Sequence, residues 1–506
     1  MRIKKKNKSV KIILALLLIL CVTTYCNKPP EKVAEELPEA VSETVTLTIS
    51  PTLPGDLPSG NATQEELAKF AWNEFFALNW ASSWTTDNKR DSPDASWTFD
   101  KPTPDLAVWE TYIHRSELRP SSAPLTDRST GKPTYDYQTS IDANGITSSN
   151  FWNNLDEDNE IGSAYLLAYD SLEVLYMAKT NLAEYNYLKT NLPDNAKLKQ
   201  AAANGKSLTY LKNRSAMKTY CDSDTATNSI CLPCGKTGGV QGAIEIKTAW
   251  RFLDPSKDDA SRFIQKDVLY YTEESGSLKA QTGKMALIGM HIIAKTENYP
   301  TFVFASFEQI DVRKKFLPTG KQDSTAIMNY YGFKSNSNDP QKNTPVVPRA
   351  ISSTIQSVNA SALDLINQTN TAGTSLLQYY RLIGVQGKPV DYSDKDSDPN
   401  YFMANYVIES DSALTLFHGS FAEPFNGEAN VVTNGTTVNM GGCQGCHGQA
   451  QLSGHDFSFI LAAGAGKPFK EPDVLQSVED VRKAVGDDQS LAKLKSFIEM
   501  YSSVKK

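Results

Sequence analysis

MALIGMHIIA, residues 285–294, is the stretch that decides the fold. Met285 to Ala294 is apolar at successive positions, so the segment is expected to be a central strand buried on both faces. Glu297-Asn298-Tyr299-Pro300 then makes a turn, and Thr301 to Asp311 returns as an antiparallel partner. Upstream, Ile244, Ile246, Thr248, Trp250 and Phe252 alternate with Glu245, Lys247, Ala249 and Arg251, as in a half-buried strand. The middle of the chain therefore reads as antiparallel sheet.

Helices are expected on either side of this sheet. Thr63-Gln64-Glu65-Glu66 is a capping box, and Leu67, Phe70, Ala71, Phe75 and Leu78 then fall on one helical face. Further helical patterns cover Ser171 to Leu192, ending near Pro193, then Ala360 to Gln368, Ser375 to Ile383 and finally Leu491 to Tyr501. No internal repeat is present. The fold class is α+β: a helical N-terminal part, antiparallel sheet in the middle, and a C-terminal segment packed on the body. All seven Trp lie between Trp72 and Trp250. Trp72, Trp80 and Trp84 are expected in the core and not as a sugar-binding platform.

At 506 residues the chain has room for a large core, and its 40% hydrophobic and 22% charged residues are those of a globular protein. A net charge of -7 excludes a nucleic-acid partner, which would need a basic face. The N-terminus stands apart. Arg2, Lys4, Lys5, Lys6, Lys8 and Lys11 precede the apolar run Ile12 to Leu20, the charge-then-core order of a secretory signal. The segment resembles a bacterial lipoprotein signal. Cys26 is the preferred lipidated residue because a polar, proline-bearing tether starts there; Cys21 is its rival. An acyl chain would hold the protein at a membrane surface, in the periplasm or at the outer membrane. The organisation is then residues 1–26 signal, 27–60 a Pro- and Glu-rich flexible linker, 61–400 the α+β body, and 401–506 a cofactor segment.

Cys443-Gln444-Gly445-Cys446-His447 defines that last segment. Two thiols two residues apart match the two vinyl groups of haem, and the adjacent His447 reaches the iron as proximal ligand. Chance would give roughly 0.001 such runs in a chain with this many Cys and His. One covalent haem c, held by Cys443 and Cys446 and ligated by His447, is the expected cofactor. A zinc site would need further ligands nearby, and a thioredoxin-like dithiol would need a strand before and a helix after. Gly441, Gly442 and Gly448 speak against that helix. For the sixth ligand His455, His418, His291, Met440 and Met403 remain open, as does an empty position.

Cys221, Cys231 and Cys234 remain, and in an oxidising compartment two of the three are expected to pair. Asp394, Asp396 and Asp398 are spaced like calcium ligands, but Pro399 sits where such a loop needs Gly.

Several stretches together carry a resemblance: Phe70-Ala71-Trp72, Ala77-Leu78-Asn79-Trp80, Val108-Trp109-Glu110-Thr111-Tyr112, Ile246 to Arg251, Gly289-Met290-His291-Ile292, Phe304 to Glu308, and CQGCHG with Asp456 to Leu461. The set resembles a poorly characterised family of large, single-haem bacterial proteins labelled "cytochrome c family". The resemblance implies secretion and one c-type haem, and brings no reaction or catalytic residues. Three functions stay open. Electron transfer to a redox partner asks least of the sequence. A haem peroxidase or oxygenase with an open iron would use the large body for a small-molecule substrate, and a sensing or ligand-binding lipoprotein would use haem as reporter.

Overall fold

A computed structural model describes residues 44–118, 124–135, 150–157, 164–168, 172–206, 228–313, 328–332, 351–387, 405, 408, 431–433, 436–438, 442–462 and 472–475. Its strands are β1 (Ile113–His114), β2 (Ala164–Ala168), β3 (Leu172–Glu173), β4 (Leu175–Thr180), β5 (Ile244–Arg251), β6 (Gln265–Glu274), β7 (Ser277–Ala294), β8 (Val303–Gln309), β9 (Met328–Gly332), β10 (Tyr380–Gln386), β11 (Val431–Thr433) and β12 (Thr436–Val438). The helices that matter here are α1 (Gln64–Leu78), α2 (Leu182–Asn191), α3 (Asn195–Lys206), α4 (Ser353–Thr369), α5 (Gly442–Leu452) and α6 (Phe459–Ala462). The protein is α+β, with its main sheet antiparallel throughout.

The main sheet has seven strands in the order β1-β4-β5-β7-β8-β10, with β6 pairing β7 as well. Strand β7 is its axis. The 18-residue strand pairs β6 along its first half and lies between β5 and β8 along its second. The β6–β7 hairpin closes on Ser275-Gly276 with both residues at positive φ, 53° and 76°, a turn whose twist matches the strands and which glycine enters without strain.

One face of the sheet carries Ile246, Trp250, Met290, Ile292, Ala305 and Phe307, all buried under α1 and α4. The capping box expected at Thr63 is present and starts α1. Phe75 stacks on Phe307 with ring centroids 4.2 Å apart, and Trp72 donates from Nε1 to Asn359 of α4 at 2.9 Å. Trp72 and Trp80 are buried as expected, whereas Trp84 is half-buried and packs edge-on against Trp152. The opposite face carries Ile293 and Phe304, and beside them lie α2, α3 and residues of α5 and α6.

Two helical expectations give way to strands. Residues 175–180, expected within one helix over 171–192, form β4, and the helix begins only at Leu182. Val174 to Met177 are buried at every position, and a fully buried apolar run fits either period. Asn181 marks the true start, its side chain accepting from the Glu184 amide at 3.1 Å. Over 375–383 only one 3-10 turn forms (Leu376–Tyr379), and Tyr380 then enters β10.

The expected linker also ends early. Leu53 and Leu57 are buried in the main core, and Asp56 accepts from Asn298 Nδ2 at 3.0 Å. Residues 45–60 thus belong to the body: two leucines in a Pro-rich stretch are enough to pin it. Val45–Lys506 forms one compact unit. The signal, the linker before residue 44, the calcium-like loop and the helix expected at 491–501 lie outside the described residues. Among the described residues no helix is long and apolar enough to cross a membrane.

Candidate functional site

The CQGCH run lies within α5, which begins at Gly442 directly before Cys443. The hairpin β11–β12 precedes it. The glycines around the motif therefore do not stop a helix, contrary to the sequence argument against a dithiol; what remains against that reading is His447. Cys443 and Cys446 are three residues apart on this helix, which puts their backbones on neighbouring turns of one side. Cys443 is a buried thiol; the side chain of Cys446 lies outside the described ones.

His447 is held as a metal-ligating imidazole would be. Its Nδ1 lies 2.8 Å from the carbonyl oxygen of Phe457. A carbonyl only accepts, so Nδ1 carries the proton and Nε2 keeps its lone pair, the arrangement that orients ligating histidines. The ring is flanked by Phe304 at 4.8 Å and Phe459 at 4.7 Å. Although part of the residue reaches the surface, desolvation is the main cause that pulls the pKa of this ring down to about 3, with smaller contributions from His291 and Lys247. The imidazole is therefore neutral at any physiological pH.

Strain supports this arrangement. Asp456 and Phe457 sit in the left-handed region with φ of 51° and 64°, unusual for such residues, in the turn whose Phe457 carbonyl meets His447. Gly454, at φ 86°, lets the same turn approach α3, where a Cβ would lie 2.0 Å from the Ala202 carbonyl oxygen. Asp456 accepts from the Leu232 amide at 2.7 Å and forms a buried ion pair with Lys295.

Cross-strand register explains which sheet residues meet this turn. Thr180, Glu245, Ile293, Phe304 and Gln386 form one row across β4, β5, β7, β8 and β10. Phe304 lies against His447, and Gln386 Oε1 accepts from the Gln444 amide at 3.2 Å. Gln444 Nε2 in turn donates to Thr301 Oγ1 at 3.0 Å. The next row is Ala178, Lys247, His291 and Ser306.

Glu245 of the first row meets Glu184 of α2. Both carboxyls are fully buried, and Glu184 Oε1 and Glu245 Oε1 each lack a hydrogen-bond donor. Two facing acceptors need a shared proton. Burial pushes Glu184 well above the usual carboxylate range and Glu245 up to about 7, with Asp456 adding repulsion. Ser458 and Thr180 hydrogen-bond the pair from its two sides.

The other sequence candidates disperse. His455 sits in the turn after α5, its Nδ1 2.7 Å from Ser453 Oγ. His418, Met403, Met440, Cys21, Cys26 and Cys221 lie outside the described residues. Cys231 is disulfide-bonded, while Cys234 is a half-buried thiol. Among the described residues no group of three or more His, Cys, Asp or Glu is placed to hold a bare metal ion.

Sequence reading passed over Phe304, Gln386, Gln444, Lys295 and the Glu184–Glu245 pair. It also passed over a second buried network, in which Arg90 grips Glu117 and Arg115 contacts Asp156. There His114 Nδ1 lies 2.7 Å from Ser116 Oγ and its Nε2 3.5 Å from Asp156, but Ser116 is fully buried, so no nucleophile is presented. No protein-family model matches the chain, and no curated protein or solved structure is significantly similar to it.

Proposed function

We propose that this chain is a bacterial envelope protein carrying one covalent haem c, and that it transfers electrons. The observation that supports this most is His447: within CQGCH, its Nδ1 is tied to the Phe457 carbonyl and its Nε2 is left to a metal. Cys443, one turn earlier, and Cys446, directly before it, would hold the haem through thioethers, and the haem when bound supplies one-electron chemistry. The rest is work for the chain itself. Phe304 and Phe459 exclude water from the His447 ring, and the Asp456–Phe457 turn fixes its orientation. On this reading residues 401–506 are a haem segment seated on the face of the sheet that carries Ile293 and Phe304. Cys26, or Cys21 in its place, anchors the protein to a membrane surface by an acyl chain. The resemblance to the large single-haem "cytochrome c family" proteins points the same way.

Expression of the full chain in cells with a cytochrome c assembly system tests the proposal. The colour should stay with the protein through acid-acetone extraction, and Cys443→Ala with Cys446→Ala should release it. Haem that extracts freely from the unaltered protein would show that CQGCH is not an attachment site.

A further inference from the structure

We propose that His291, at the centre of β7, is the second axial ligand of the haem iron, opposite His447. This rests on the haem reading and names the residue that completes it. The argument starts from the sheet. His291 and Ile293 are two residues apart on one strand, so they share a face, about 7 Å apart along it. Ile293 is the register partner of Phe304, and Phe304 is the ring against which His447 lies. His291 is itself opposite Ser306, two residues from Phe304 on the same face. The two imidazoles thus come from different elements, a helix and a strand, and both adjoin Phe304 on one side of the sheet. Coordination from both sides of a haem needs that origin from two elements.

The alternatives nearby are less well placed. Lys247, cross-strand from His291, has its Nζ 3.7 Å from Glu157 and 5.1 Å from the centre of the Tyr176 ring, at the β4 side of the row. His455 belongs to the 453–457 turn, which stands on the Nδ1 side of the His447 ring. A second ligand has to approach from the Nε2 side. His291 is 9% exposed, which suits a ligand shielded from water. It also sits mid-strand between two paired neighbours, which suits a position that must not move when the iron changes oxidation state.

The test uses the full-length, haem-loaded protein and reads absorption and electron paramagnetic resonance spectra. The unaltered ferric protein should be low-spin. His291→Ala should lose the low-spin signal, bind carbon monoxide when reduced, and regain a low-spin spectrum with added imidazole. His291→Met keeps an apolar, strand-compatible side chain and should show the long-wavelength band of Met-ligated ferric haem, so a poorly folding Ala variant leaves the question answerable. A haem-loaded protein that is high-spin before any substitution, or that stays low-spin in both variants, overturns the ligand assignment while leaving covalent haem intact. A full-length protein without covalent haem overturns the haem reading, and the ligand with it.

Discussion

Glu184 and Glu245 set the strongest residue-scale expectation. A buried acid whose folded pKa is raised binds its proton more tightly in the folded than in the unfolded chain. Its stabilisation is therefore complete below the unfolded value and is lost as pH rises through the folded one. For Glu245 that window runs from the ordinary 4.5 up to about 7. The loss is at most about 3 kcal/mol. Asp91, also pushed up to about 7 by burial, acts in the same direction, so the test must be a difference. Glu245→Gln replaces the ionising oxygen with a donor for Glu184. Its urea-unfolding free energy should exceed that of the unaltered protein at about pH 8, and the two should converge near pH 5. Parallel pH curves would refute the shared proton. None of this was legible from sequence, because Glu184 and Glu245 are far apart in the chain and each looks like an ordinary surface acid. His447 could be singled out as a candidate because Cys443 and Cys446 stand beside it in the chain; its hydrogen-bond partner, the Phe457 carbonyl, is a backbone atom with no sequence signature.

At the scale of elements, strands were readable where alternation or a bounded apolar run was unambiguous, as in β5 and β7. Helix α1 was readable from Thr63 and Glu66, whose reciprocal hydrogen bonds are local. Strand β4 was not, since residues 174–178 are buried without a period and only Asn181 tells where helix begins. The contact between α1 and the sheet concentrates on Phe307, which stacks on Phe75 and meets Trp72 edge-on with centroids 5.1 Å apart. Truncating a fully buried Phe costs about 3–5 kcal/mol, the lost transfer energy plus the cavity. Phe307→Ala should lower stability by that amount in denaturant titration, whereas Leu363→Ala, on the exposed side of α4, should change it little. Equal effects would mean that this helix–sheet contact is not where the fold is held.

For the molecule as a whole, the part taken for a tether turns out to reach into the core. Leu53 and Leu57 are buried, and Asp56 binds the turn at Asn298, a turn that leads directly into β8 and Phe304. A chain starting at residue 45 should match the full-length chain in thermal stability. One starting at residue 61 exposes the cavity left by two leucines, which costs about 2–5 kcal/mol for each large-to-small loss of this kind, and its melting temperature should fall by several degrees. If both truncations melt alike, residues 45–60 only rest on the surface. The three prolines of this stretch, continuing the Pro- and Glu-rich run before it, read as linker and do not tell where its leucines end, which is why sequence reading placed the body's beginning too late.

The burial of Cys443 has a consequence for the order of events in the cell. Once α5 is seated beside Phe302, Phe304 and Leu232, this thiol is closed off. On the haem reading, bond formation must then come before docking, while residues 442–462 are still an open strand of chain. If the proposal holds, the polypeptide has to meet the haem unfolded, and the sheet must wait for its last segment. Such a protein would be timed as much as it is shaped: a copy that closed early would be sealed against the haem.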